Sequence, residues 1–213
     1  RTDGNLLRRL LRIYGYYDGE VVQTIGAVEP GGDMAASPAV RFDISPGARY
    51  KFGAIELGDL PTTGNDYPAL RTAFGIQSGD PLDNDRIVAS QSRLDTALGE
   101  SGYAFAKLGE PDLVADHLRE EGDLSLPVVN GGRYRFSGVV SNLPDFLPGK
   151  HLESIARFDT GDLYRRSQVD DLRKAIIATG LVSSVSLTPR QVAPPQGEVP
   201  GEVALDVSLT KAP

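Results

Sequence analysis

"RYKFGAIEL" at residues 49–57 and "RYRFSGVVS" at 133–141 are one aromatic, basic and apolar strand written twice, with Tyr50 and Tyr134 84 positions apart. Each copy follows a turn, "SPGA" at 45–48 and "NGG" at 130–132. Glycine makes a positive φ cheap there. Each copy therefore reads as the opening strand of a new structural unit.

Downstream the match continues. "LP" recurs at Leu60-Pro61 and Leu143-Pro144, and the turn "SGDPL" at 78–82 returns as "TGDLY" at 160–164. A short helix is expected in each copy, at "YPALRTAF" (67–74) and "GKHLESIARF" (149–158), followed by a longer one. The longer helices pair Leu94, Leu98 and Gly102 with Leu172, Ile176 and Gly180, an i, i+4 apolar stripe closed by a C-terminal glycine. Leu7, Leu11 and Gly15 carry that signature a third time. Asp83 or Asp85 is the expected cap before Ile87, and "SQVD" at 167–170 reads as a capping-box-like start before Leu172.

Two strands close each copy. Val203, Leu205, Val207 and Leu209 alternate with Glu202, Ala204, Asp206 and Ser208, and Val40, Phe42 and Ile44 alternate likewise. That is the period of a sheet with one buried face. Pro127 interrupts "LSLPVV", where proline fits only if no ladder N–H is needed. The repeat is strand, short helix, longer helix, strand, strand. It gives an α+β fold with units expected over 1–47, truncated to a helix and two strands, and over 48–131 and 132–213.

Composition narrows function. Of 213 residues, 40% are apolar and 24% charged, the usage of a folded chain rather than a disordered one. A net charge of −7 argues against nucleic acid, which requires clustered Lys and Arg. No apolar run approaches the roughly 18 residues of a membrane span. The opening residues lack the basic-then-apolar order of an export signal, so any such signal is removed or absent. With no cysteine, disulfides and thiol-bound metals are excluded.

A βααββ unit of about 80 residues, repeated with almost no linker, resembles the POTRA domain. The resemblance lies in the "RYKFG" and "RYRFS" strand starts, the "SGDPL" and "TGDLY" turns, and the helix ends running through Gly into a strand. Such arrays precede the barrel in the outer-membrane β-barrel insertase superfamily, and a three-copy array is most similar to that of the translocation and assembly module. The resemblance implies a three-stranded mixed sheet per unit, third strand central, with two helices on one face. It also implies the periplasmic side of the bacterial outer membrane. The chain stops at "LTKAP", where the family's barrel would begin, and so reads as an excised periplasmic fragment.

No cofactor, metal or catalytic site is expected. His117, at a strand end, and His151, in a short helix, stand without another histidine nearby in sequence, which favours surface or turn roles. Asp80, Asp83 and Asp85 miss the EF-hand spacing, and helix capping accounts for them. In "YGYYD" (14–18), strand alternation sends Tyr16 and Tyr17 to opposite faces, one of them packing at a core or joint. Arg165-Arg166 reads as solvated surface.

The expected function is physical: an exposed sheet edge accepts a foreign strand whatever its side chains. The candidate edges are the second strands of the full units, Phe105–Asp116 and Leu181–Arg190, with Phe105, Lys107, Val114, Val182, Val185 and Leu187 as polypeptide-binding residues. The partners are then unfolded outer-membrane or secreted β-rich clients. A spacer arm docked to an inner-membrane partner protein is the rival, and the POTRA pair of a two-partner secretion transporter a related alternative. A two-carboxylate hydrolase is third, since nothing brings a particular pair together. The linkers leave two or three residues between units, which implies a semi-rigid arm.

Overall fold

The structure is a computed structural model that describes residues 2–26 and 40–213; residues 27–39 of the expected first unit lie outside it. The backbone gathers into two compact units. One comprises residues 1–56, 76–90 and 110–126, the other 57–75, 91–109 and 127–213.

In the first unit, helix α1 (Thr2–Ile13) precedes an antiparallel pair, β1 (Glu20–Ile25) and β2 (Val40–Ser45). Val21 is buried, whereas Val40 and Ile44 remain about half exposed and Phe42 is partly covered. The alternation read over 40–44 is thus not matched by full burial of any of its apolar positions. Tyr16 and Tyr17 lie in the turn before β1 rather than on a strand, as Gly15 at φ 88° ends the helix there. Tyr17 packs on Tyr50 with ring centroids 5.1 Å apart. Tyr16 joins Leu7, Leu10, Leu11, Tyr14 and Ile44 around an apolar pocket of about 210 Å³.

A three-stranded sheet follows. Strand β3 (Lys51–Glu56) runs parallel to a central strand spanning Glu121–Ser125, which also pairs antiparallel with one at Asp112–Asp116. Helix α2 (Tyr67–Phe74) belongs to the second unit and ends on Gly75 in the left-handed conformation. Helix α3 (Asn84–Glu100) starts with Asp83 accepting the Asp85 amide at 2.9 Å, the expected cap.

The second strand of this repeat is not continuous over Phe105–Asp116. It splits into β4 (Lys107–Leu108) and β5 (Asp112–Asp116). Pro111 has no ladder donor to offer, and the Gly109 amide turns to the Pro127 carbonyl at 2.7 Å. The third strand splits in register, into β6 (Glu121–Ser125) and β7 (Val128–Val129), either side of Pro127. β7 pairs with β4.

The last repeat, wholly within the second unit, is the complete form. Strands β8 (Tyr134–Ser141), β9 (Val182–Ala193) and β10 (Gly201–Lys211) order as β8-β10-β9, with β10 parallel to β8 and antiparallel to β9. Helix α4 (Gly149–Ile155) packs on β8 and α5 (Arg166–Ala178) on β9. Val203, Leu205, Val207 and Leu209 are all buried, as their alternation demands, against Leu152, Leu172 and Ile176. Burying each such side chain contributes about 1.5–3 kcal/mol. Helix α5 starts at Arg166, ahead of "SQVD", and Arg165 supplies no side-chain cap.

Candidate functional site

Both opening strands are clamped by the turn that repeats with them. The Phe52 amide donates to the Asp80 carbonyl at 2.8 Å and Phe52 accepts from Gly79 at 2.7 Å; the Leu82 amide donates to Tyr50 at 2.9 Å. Phe136 repeats this with Asp162 at 2.9 Å and Gly161 at 2.7 Å, and Tyr134 accepts from Tyr164 at 2.9 Å. The turns therefore occupy the start of each outer margin, through Phe52 and Phe136; farther along, the Ala54 amide donates to Asp123 at 2.8 Å and the Val139 amide to Glu153 at 3.0 Å. The tyrosine amides point back: Tyr50 N–H donates to the Gly15 carbonyl at 2.8 Å and Tyr134 N–H to the Gly102 carbonyl at 2.9 Å.

All four outer strands, β3, β5, β8 and β9, lack a strand on their far side among the described residues, but β5 and β9 have no such turn paired along them. β5 is five residues long, preceded by Pro111, and closed at its hairpin by Arg119. The Arg119 guanidinium donates to Asp116 at 2.7 Å, Glu121 at 3.0 Å and Asp123 at 2.8 Å. It holds the Asp116 carboxyl below its ordinary range, and the Ala54 amide, then Arg119, holds Asp123 low.

β9 is longer and barer. Val182 is buried, Val185 and Leu187 are half-buried against the core, and Ser184, Ser186 and Thr188 face outward on the helix-free side. Pro189 sits opposite Leu205, Leu187 opposite Val207 and Val185 opposite Leu209. A proline has no N–H for the ladder and is tolerated where its backbone faces away from the partner strand. By the two-residue period, Val185 and Leu187 then also turn their amides outward, while Ser186 and Thr188 pair with β10.

The remaining predicted binding residues are dispersed. Phe105 lies outside any strand, its ring edge-on to Tyr134 at 4.9 Å. Lys107 is exposed in the two-residue β4, and Val114 is 60% exposed in β5. His151 is exposed on α4. Asp80 accepts from Arg86 at 3.0 Å.

His117 meets a cluster that sequence reading does not assemble. The Tyr50 hydroxyl donates to Asp18 at 2.7 Å, and His117 Nδ1 lies 2.8 Å from Asp18 and 2.7 Å from that hydroxyl. Hydrogen bonds from Tyr50 and then His117 hold the Asp18 carboxyl low. Burial, then Asp18, pushes the Tyr50 phenol up to about 12. In the last repeat Tyr134 donates instead to Gln191 at 3.0 Å. Arg165 is exposed as read, whereas Arg166 is only partly covered and pairs with Asp95 at 2.6 Å. Its only sequence signal is a glycine, Gly99, inside a helix that has no need of one. Among the described residues no set of three His, Asp or Glu side chains is gathered as metal ligands.

No family model and no curated protein matches this sequence. Solved structures do. Over 99% of its length the chain aligns with 79% of a Haemophilus influenzae BamA fragment holding POTRA domains 3–5, at 18% identity and a TM-score of 0.54. Over 76% it aligns with Haemophilus ducreyi BamA lacking POTRA domains 1–3, at 16% identity and a TM-score of 0.59, spanning 30% of that longer chain. At such identities the likeness is one of fold, and the fold of this chain is that of a POTRA array.

Proposed function

We propose that this chain is the periplasmic POTRA region of an outer-membrane β-barrel assembly or translocation protein, with units at 1–47, 48–131 and 132–213, and that it binds extended polypeptide by adding a strand to β9. The observation that carries this reading is the contrast between margins: β3 and β8 are tied at their starts by their own turns and farther on by Asp123 and Glu153, β5 is short and clamped, and β9 is the longest outer strand with no turn paired along it. Backbone pairing serves many β-rich clients because it ignores side-chain identity. Pro189 limits the accepting stretch to the part of β9 before it. A three-copy array favours a translocation-and-assembly type of module over a two-partner secretion transporter.

The test is affinity for a strand-forming client peptide. Val185→Pro removes an outward amide without touching the β9–β10 ladder, and is expected to weaken binding about tenfold or more. Val185→Ala keeps the amide and should bind as the parent does. Equal affinity for all three chains overturns strand addition at β9. The amides of Tyr50 and Tyr134, tied to the preceding repeats, equally suit a docking arm held to an inner-membrane partner. Photo-crosslinkers on β9 separate the two: β-rich clients label the binder, a single partner protein the arm.

A further inference from the structure

Helix α3 carries a glycine at position 99, inside its last turn, where glycine is less favourable than alanine by about 1 kcal/mol. Its left-handed freedom is not used, since the residue is helical. The reason is a neighbour: a methyl group there would meet the Arg166 guanidinium at 2.8 Å. With Gly99 bare, the guanidinium lies across the helix and donates to Asp95, one turn back, at 2.6 and 3.5 Å. The adjacent residue completes the contact. Glu100 Oε1 accepts the Ser167 amide at 2.8 Å and Oε2 accepts the Ser167 hydroxyl at 2.6 Å.

Ser167 is the second residue of α5, so its amide is one that no α5 carbonyl can satisfy. Glu100 thus takes the capping role that Arg165 leaves open, and places a carboxylate at the positive end of the helix. Close by, a methyl on Gly102 would meet Leu163 at 2.7 Å. Two charge-assisted links and two glycine approaches converge on the same few ångströms.

We propose that Asp95, Gly99, Glu100, Arg166 and Ser167 form a lock that fixes the last repeat to the end of α3 in one orientation. The last repeat's own sheet and core do not include these residues. The repeat stays tethered by Tyr134, whose amide donates to the Gly102 carbonyl and whose ring meets Phe105, so opening the lock loosens its orientation without unfolding it. Arg suits the role through its planar fork, which spans carboxylate and helix surface together.

The chain has no cysteine, so Ser92→Cys and Ser184→Cys accept spin labels cleanly, and pulsed dipolar spectroscopy reads the distance between α3 and β9. The parent is expected to give one narrow distance. Gly99→Ala displaces the guanidinium while improving helix propensity, and should lose the narrow peak with thermal stability unchanged or raised. Glu100→Gln should raise amide exchange at Ser167 about tenfold, leaving β9–β10 protected. A narrow distance retained in Gly99→Ala, or in Gly99→Ala combined with Glu100→Gln, overturns the lock. Loss of β9–β10 protection in these variants also overturns it, by making the contact part of the fold of the repeat.

Discussion

Asp18, Tyr50 and His117 lie 32 to 99 residues apart in sequence, yet share one set of hydrogen bonds. The charge states of two of them set the behaviour of that contact with pH. Asp18 titrates below its ordinary range in the folded chain, so its contribution to stability is present above that range and is lost as pH falls through the folded value. Asp18→Asn should lower the melting temperature at neutral pH, with the difference from the parent vanishing in acid. Tyr50 has the opposite sense. Its phenol is raised from 10.0 to about 12, so its contribution is complete below pH 10 and fades as pH rises toward 12. Absorbance titration of the parent against Tyr50→Phe should show one tyrosine ionising near pH 12. His117→Gln is expected to be mild, because Gln191 already serves Tyr134 in the last repeat.

Within a strand, alternation decides what a proline does. Val185→Pro takes an amide from the open side of β9, whereas Ser186→Pro takes one from the ladder with β10 and leaves a carbonyl of the central strand without its donor. Thermal unfolding should record a loss of ~2 kcal/mol or more for Ser186→Pro and a clearly smaller one for Val185→Pro. The buried face of β10 was legible because period two is written in Val203, Leu205, Val207 and Leu209, whereas its central place, which leaves β9 at an edge, followed from the resemblance and not from periodicity. The break in the second repeat was half legible: Pro127 announced it, but the matching interruption at Gly109 and Pro111 is visible only once the two strands lie side by side. The contacts of Arg166 and Ser167 were not legible, since each links residues about 70 positions apart and no local rule selects the partner.

Across the whole chain, the repeats differ in how well their central strand is enclosed. β6 and β10 have partners on both sides; β2 has one among the described residues, and Val22, Ile25, Val40 and Ile44 stay 46–66% exposed. Local opening follows buried contact. Amides of the β1–β2 ladder should exchange at least about a hundredfold faster than those of β10, as read by native-state hydrogen exchange. Enclosure is not the only thing that passes between repeats. Each opening tyrosine gives its amide to a glycine carbonyl that belongs, by sequence, to the repeat before it. The natural seam for cutting and splicing such modules therefore lies upstream of the linker, ahead of that glycine. A chimaera joined at the linker parts aromatic from acceptor, and a transplanted module must bring its predecessor's final helical turn along.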